Sequence, residues 1–327
     1  MISGKILNLG RLRCPIEYLQ EELFFSLVDY RNNYFTSNDP KKILEFYNGF
    51  DNRDQLIQWM RERPQGVANI LEVEGDKEII VVIPTADFSG KYARECRANI
   101  FKGLHIIFVE SGEVPDPYFN YAHNVNVGIK KAMEYNPKWI VISNDDMYKI
   151  DDISVLVSNL SNFNNDKIDA IFTGESKYHS IVKTLIKRNY LVNIVNRIRI
   201  RKQGFIINKF LNKFEVRFII GNGGFVQKNI FKGITYIDFI DFGILSSEFI
   251  RKSSNILFDE TFINEGEDSD LSININKKGK FSTIEFRIGD LIGTTLGIGM
   301  DRVLRSVAGL SYLNFKWGRL FSAPDKE

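Results

Sequence analysis

The chain has 327 residues, 44% hydrophobic and 26% charged, with 43 basic against 41 acidic side chains. That length suits a main domain with an appendage, and a formal charge of +2 excludes a surface that attracts polyanions uniformly. Two cysteines, Cys14 and Cys96, exclude a disulfide framework and fit a reducing compartment.

The opening Met1-Ile2-Ser3-Gly4-Lys5 lacks the apolar core of a signal peptide. No window approaches the ~18 continuous apolar residues of a membrane span. A cytoplasmic protein is expected, free or peripheral on the cytosolic face of a membrane. Residues 1 to 75 read as an N-terminal helical appendage, with Leu19, Leu23, Phe24, Leu27 and Val28 near a 3.6-residue period. Asp39-Pro40 marks a helix start, and a further helix over Asn52 to Glu62 buries Leu56, Trp59 and Met60.

Glu78 to Thr85, rich in β-branched residues, reads as the first buried strand of a parallel sheet, and His105 to Val109 as the second. Tyr92 to Phe101 supplies the crossover helix between them. Phe119 to Tyr135 is the next helix, leading into the strand Trp139-Ile140-Val141-Ile142. Each strand ends in polar residues: Thr85, Glu110, then Ser143-Asn144-Asp145-Asp146. In open α/β sheets ligands collect at such ends, so Asp145 and Asp146 either hold a hard cation such as Mg²⁺ or Mn²⁺ or cap the following helix.

A helix through Val155, Leu156 and Leu160 precedes a fourth strand over Ile168 to Thr173. Residues 177–217 then form a basic amphipathic insert, with Lys and Arg interleaved among Ile, Leu, Val and Phe. It suits an anionic membrane surface or a solvated helical face; with no aromatic RNA-binding signature, nucleic acid is disfavoured. Gly223-Gly224 lies between apolar runs and permits a sharp bend or close approach to a ligand. Glu267, Asp268 and Asp270 open a helix that stops at Gly279; they either offset its macrodipole or face the cleft as a base. Residues 300–327 read as a C-terminal helical segment.

In order and content, the stretches from Glu78 to Thr295 resemble the family 2 glycosyltransferases, inverting enzymes of the GT-A fold. The residues that carry the likeness are Pro84-Thr85, Glu110-Ser111-Gly112, Asn126-Val127-Gly128, Ser143-Asn144-Asp145-Asp146, Gly223-Gly224, Phe258-Asp259-Glu260 and Glu267-Asp268. The resemblance implies a GT-A, Rossmann-like catalytic domain over residues 76–299, its mainly parallel mixed sheet flanked by helices. It implies that Pro84, Thr85, Glu110, Asn126, Asn144 and Asp145 bind a nucleotide-sugar donor, and that Asp145 and Asp146 hold Mg²⁺ or Mn²⁺. Gly223 and Gly224 would line the acceptor side, and Asp268, with Glu267 as runner-up, would take the proton of the acceptor hydroxyl. Here Ser143 stands at the first acidic position of the family's DXD motif, and Glu110 where aspartate is usual. The acceptor would be a glycan or a lipid-linked molecule reached through the basic insert. A sugar nucleotidyltransferase on a similar fold is the rival enzyme, though no glycine-rich loop with a basic residue follows the first strand. A non-catalytic membrane- or nucleic-acid-binding protein is the other rival.

Overall fold

The structure, a computed structural model, describes residues 37–112, 116–173, 213–215, 242–263, 265–291 and 300–321. The chain enters through two helices, α1 (Pro40–Asn48) and α2 (Arg53–Glu62). Each begins where a side chain satisfies an otherwise orphaned N–H: Asp39 accepts from Lys41 N, and Asn52 from Gln55 N.

Strands β1 (Asn69–Val73), β2 (Asp76–Thr85), β3 (Leu104–Glu110), β4 (Trp139–Ser143), β6 (Ala170–Thr173), β7 (Phe242–Ser246) and β8 (Phe281–Ile284) form one sheet, ordered β1-β3-β2-β4-β7-β6-β8. Pairs β2–β3, β2–β4 and β6–β8 are parallel, whereas β1 and β7 run against their neighbours. The protein is therefore a mixed α/β structure of Rossmann-like character. A separate two-stranded ribbon joins β5 (Met147–Lys149) to β9 (Ile288–Asp290).

Alternation along the buried strands separates two cores. Ile79, Val81 and Ile83 of β2 face one side with Phe108, Val141 and Met147, beneath α3 (Lys91–Glu95) and α5 (Ile153–Ser161). Ile80 and Val82 face the other with Ile107, Val109, Ile140 and Ile142, beneath α4 (Tyr121–Met133), α6 (Ser247–Lys252) and α7 (Glu267–Lys278). Helix α4 lies close on the sheet because position 128 is glycine: a Cβ there would fall 2.4 Å from Val82 Cγ1. A larger residue would force the helix away, at about 1–3 kcal/mol.

A third core joins the two ends of the chain. Ile43, Phe46, Tyr47, Leu56 and Met60 of α1 and α2 pack with Leu304, Val307, Ala308 and Leu313 of α8 (Met300–Phe321). The Tyr47 hydroxyl donates to Leu304 O at 2.7 Å and accepts from Ala308 N at 3.0 Å, so it inserts into a rung of the α8 ladder. Burial drives its proton affinity upward.

One expectation is corrected. The appendage over residues 1–75 is not wholly helical, because Asn69–Val73 forms a strand at the sheet edge, paired antiparallel with β3. Its sequence alternates weakly and its side chains stay largely exposed; only the free edge of β3 makes it a strand. The basic insert over 177–217 lies outside the described residues except for Lys213–Glu215. There Phe214 is buried in the helical core, its carbonyl accepting from Ser311 Oγ at 2.7 Å, while Glu215 pairs with Arg53. Among the described residues no helix is long and apolar enough to cross a membrane.

Candidate active site

The connections place a topological switch point at the C-terminal edge of the sheet. From β2 the chain crosses to β3 on one side and then returns to β4 on the other, and such a switch in direction opens a space outside the strand ends. Thr85 ends β2, Glu110 ends β3, and Asp145 follows β4. The β4 ladder ends at Val82–Ile142, so buried Pro84, which lacks an N–H, lies beyond the last rung on that side and leaves it intact.

Thr85 Oγ1 donates to Asp145 Oδ2 at 2.6 Å, fixing the carboxylate across the switch point. Burial pushes the Asp145 carboxyl above its usual range; the Thr85 hydroxyl opposes this and the neighbouring Asp146 charge adds to it. Asp146 is itself buried, and its carbonyl accepts from Leu291 N at 3.0 Å. Asn144, half-buried, stands at the same bend, its carbonyl accepting from Ser143 Oγ.

On the β3 side, Glu110 Oε1 accepts from Phe88 N at 2.9 Å. Arg97 donates to Phe88 O at 2.6 Å, and its guanidinium lies 4.5 Å from the centre of the Phe88 ring. Beyond α3 a π-helical turn, Cys96–Ile100, turns the Cys96 thiol to Asp145 O at 3.3 Å. Such turns recur at functional sites. Burial raises the thiol's proton affinity further, so Cys96 serves as a neutral donor. Sequence reasoning missed Phe88, Arg97 and Cys96; the period of the 92–101 helix was the available signal for the last.

The remaining expected residues fall elsewhere. Asn126 is expected at the nucleotide, but its carboxamide is committed to the 257–260 loop: Nδ2 donates to Phe258 O and Glu260 Oε1, and Oδ1 accepts from Leu257 N and Phe258 N. In this structure Asn126 fastens that loop, since four hydrogen bonds exhaust a carboxamide. Asp268, half-buried in the first turn of α7, accepts from Ser269 N at 2.6 Å, and burial raises its proton affinity. Glu265 lies within electrostatic reach of both Asp268 and Arg302, and burial pushes its carboxyl up to about 7. Glu267 is buried at the start of α7. Among the described residues no hydrogen bond or ion pair joins Asp268 or Glu267 to Asp145. Gly223 and Gly224 lie outside the described residues.

A separate open cavity of about 600 Å³ lies between α2, the 256–261 loop, α7 and α8, lined by Arg61, Asp259, Asp270 and Lys316 among others. Its acidic groups are engaged: Lys316 Nζ bridges Asp259 and Asp270 at 2.9 and 2.8 Å, Trp317 Nε1 donates to Asp270, and Tyr312 to Asp259. The polar strand ends around Thr85 and Asp145 are therefore the candidate site in preference to this braced hollow.

Fold and site together define a mixed α/β protein with carboxylates at the strand ends of its sheet switch point. The chain matches no family model and no curated protein.

Proposed function

We propose that the chain is an inverting glycosyltransferase of GT-A architecture, moving a sugar from a nucleotide-sugar donor to an acceptor hydroxyl. The observation that carries this reading is the meeting of Thr85 and Asp145 across the switch point, with Glu110 at the next strand end. Adjacent strand ends lie about 4.8 Å apart, so the row from Glu110 to Asp145 spans about 10 Å, the length of a nucleoside diphosphate laid along the edge. Glu110 faces the base end, and Thr85 orients the carboxylate at the diphosphate end.

Asp145 and Asp146 suit a divalent cation. Burial and like charge both raise the cost of ionising Asp145, a cost that a cation relieves. Among the described residues no three ligating side chains gather, so donor oxygens and water would complete the shell around two carboxylates. Mg²⁺ or Mn²⁺ bound there would act as a Lewis acid on the leaving diphosphate.

Asp268 takes the acceptor proton as the hydroxyl oxygen attacks the anomeric carbon from the face opposite the leaving group. Its raised proton affinity suits a base, and the Ser269 N–H and hydroxyl hold one of its oxygens, leaving the other for substrate. A glycan or lipid-linked acceptor, the latter drawn to a membrane by residues 177–217, completes the reading.

Calorimetric titration with UDP-, GDP- and dTDP-sugars, with and without Mn²⁺, tests it. A donor binds in a Mn²⁺-dependent manner, and Asp145→Ala weakens that binding by about tenfold or more, the scale of a lost charge-assisted contact. Absence of binding across the panel would remove the proposal.

A further inference from the structure

The ribbon that follows Asp146 presents an aromatic ring that the reaction has not yet used. In that ribbon Met147 pairs with Asp290, Tyr148 with Gly289 and Lys149 with Ile288. The bond from Leu291 N to Asp146 O extends the ladder one rung back. Side chains alternate along a strand, so Met147, buried in the core, takes one face while Asp146 and Tyr148 share the other. Their Cα atoms are about 6.6 Å apart at the usual strand rise.

The ring is seated by what its cross-strand partner lacks. A Cβ on Gly289 would stand 2.0 Å from Tyr148 Cζ and 2.3 and 2.4 Å from Cε1 and Cε2, so only glycine lets the phenol lie across the ribbon. Tyr148 is part-exposed and, among the described residues, enters no hydrogen bond or ring contact. Tyr47, Tyr135 and Tyr312 all spend their hydroxyls within the fold. An apolar ring face with an uncommitted hydroxyl suits a pyranose, which offers a C–H face rimmed by hydroxyls.

We propose that Tyr148, seated on Gly289, is the surface against which the donor's sugar ring stacks, an assignment that rests on the sugar-transfer reading. A nucleoside diphosphate running from Glu110 past Thr85 to Asp145 carries its sugar beyond Asp146, onto the face that Tyr148 occupies.

The experiment compares two ligands on each variant, by calorimetry with Mn²⁺: the nucleotide-sugar that binds best from the UDP-, GDP- and dTDP-sugar panel, and its nucleoside diphosphate alone. Tyr148→Ala weakens the nucleotide-sugar about five- to tenfold, the worth of one aromatic contact, and leaves the diphosphate within about twofold. Tyr148→Phe keeps most of the nucleotide-sugar affinity, and Gly289→Ala, which displaces the ring, follows Tyr148→Ala. Equal loss on both ligands, or no loss on either, overturns the assignment while leaving the donor site standing. If wild-type protein binds neither ligand, the sugar-transfer reading falls and takes Tyr148 with it.

Discussion

Two sets of carboxylates in this molecule look alike in composition and differ in what surrounds them. Asp259, Glu260 and Asp270 form a brace. Lys316, Tyr312 and Trp317 of α8 engage Asp259 and Asp270, while Glu260 accepts from Asn126 and sits 2.9 Å from His123 Nδ1. At Asp259 burial pushes the carboxyl up, but the Lys316 hydrogen bond and charge outweigh it and hold it below the usual range. Asp270 is pushed up by burial even with Lys316 bonded to it; Asp145 and Asp268, half-buried and with no lysine bonded among the described residues, are pushed up too, the Thr85 hydroxyl and Arg302 opposing this only in part. A carboxylate paired with a lysine is spent on stability. One left short of a counter-charge has free energy to gain from a cation or a proton.

The largest expected effect falls on the second set. Asp268→Asn keeps the shape and the Ser269 contacts but removes the proposed base, and sugar transfer should drop by about 10²–10⁴-fold with the midpoint of thermal unfolding unchanged or raised. A variant turning over at the wild-type rate would separate Asp268 from the chemistry and break the contrast.

Asn126→Ala should do the opposite. It strips partners from Leu257 N, Phe258 N and Phe258 O, and unsatisfied buried groups cost about 1–3 kcal/mol each. Chemical denaturation should show a loss of about 3 kcal/mol, while whatever protein remains folded binds nucleotide normally. A stable variant with weakened nucleotide binding would return Asn126 to the donor site.

The smallest effect concerns Glu265. A carboxyl raised from 4.5 to about 7 binds a proton more tightly folded than unfolded, so folding gains from it below pH 4.5 and loses that gain as pH rises through about 7. Glu265→Gln should therefore flatten the fall in stability across that window by about 1–3 kcal/mol. Thermal unfolding followed from pH 4 to 8 reads it directly. Parallel curves for the two proteins would mean that Arg302 neutralises the group fully.

Most of the elements around the switch point were legible from pattern. The β-branched run Ile79–Ile83 and the apolar run Trp139–Ile142 are buried strands, and the Asp39 cap opens the helix it precedes. Others, among them β1, β5, β7, β8, β9 and α6, were not. β1 is too exposed to carry a strand signal, and β7 contains Gly243 in a five-residue stretch. A short run does not reveal that it will insert antiparallel between β4 and β6.

The site shows the same division. Chain order alone put Thr85, Glu110 and Asp145 at strand ends, because buried strands must give way to polar residues where they meet solvent. It could not separate Asp145 from Asp259, or recognise Asn126 as a fastener, because those roles depend on partners more than fifty residues away. By itself the sequence determined where most of the buried strands and capped helices form, since periodicity and capping act over a few residues. Only the tertiary structure decided which carboxylates meet a lysine and which are buried beside another negative charge, because burial and pairing are set by packing between distant segments.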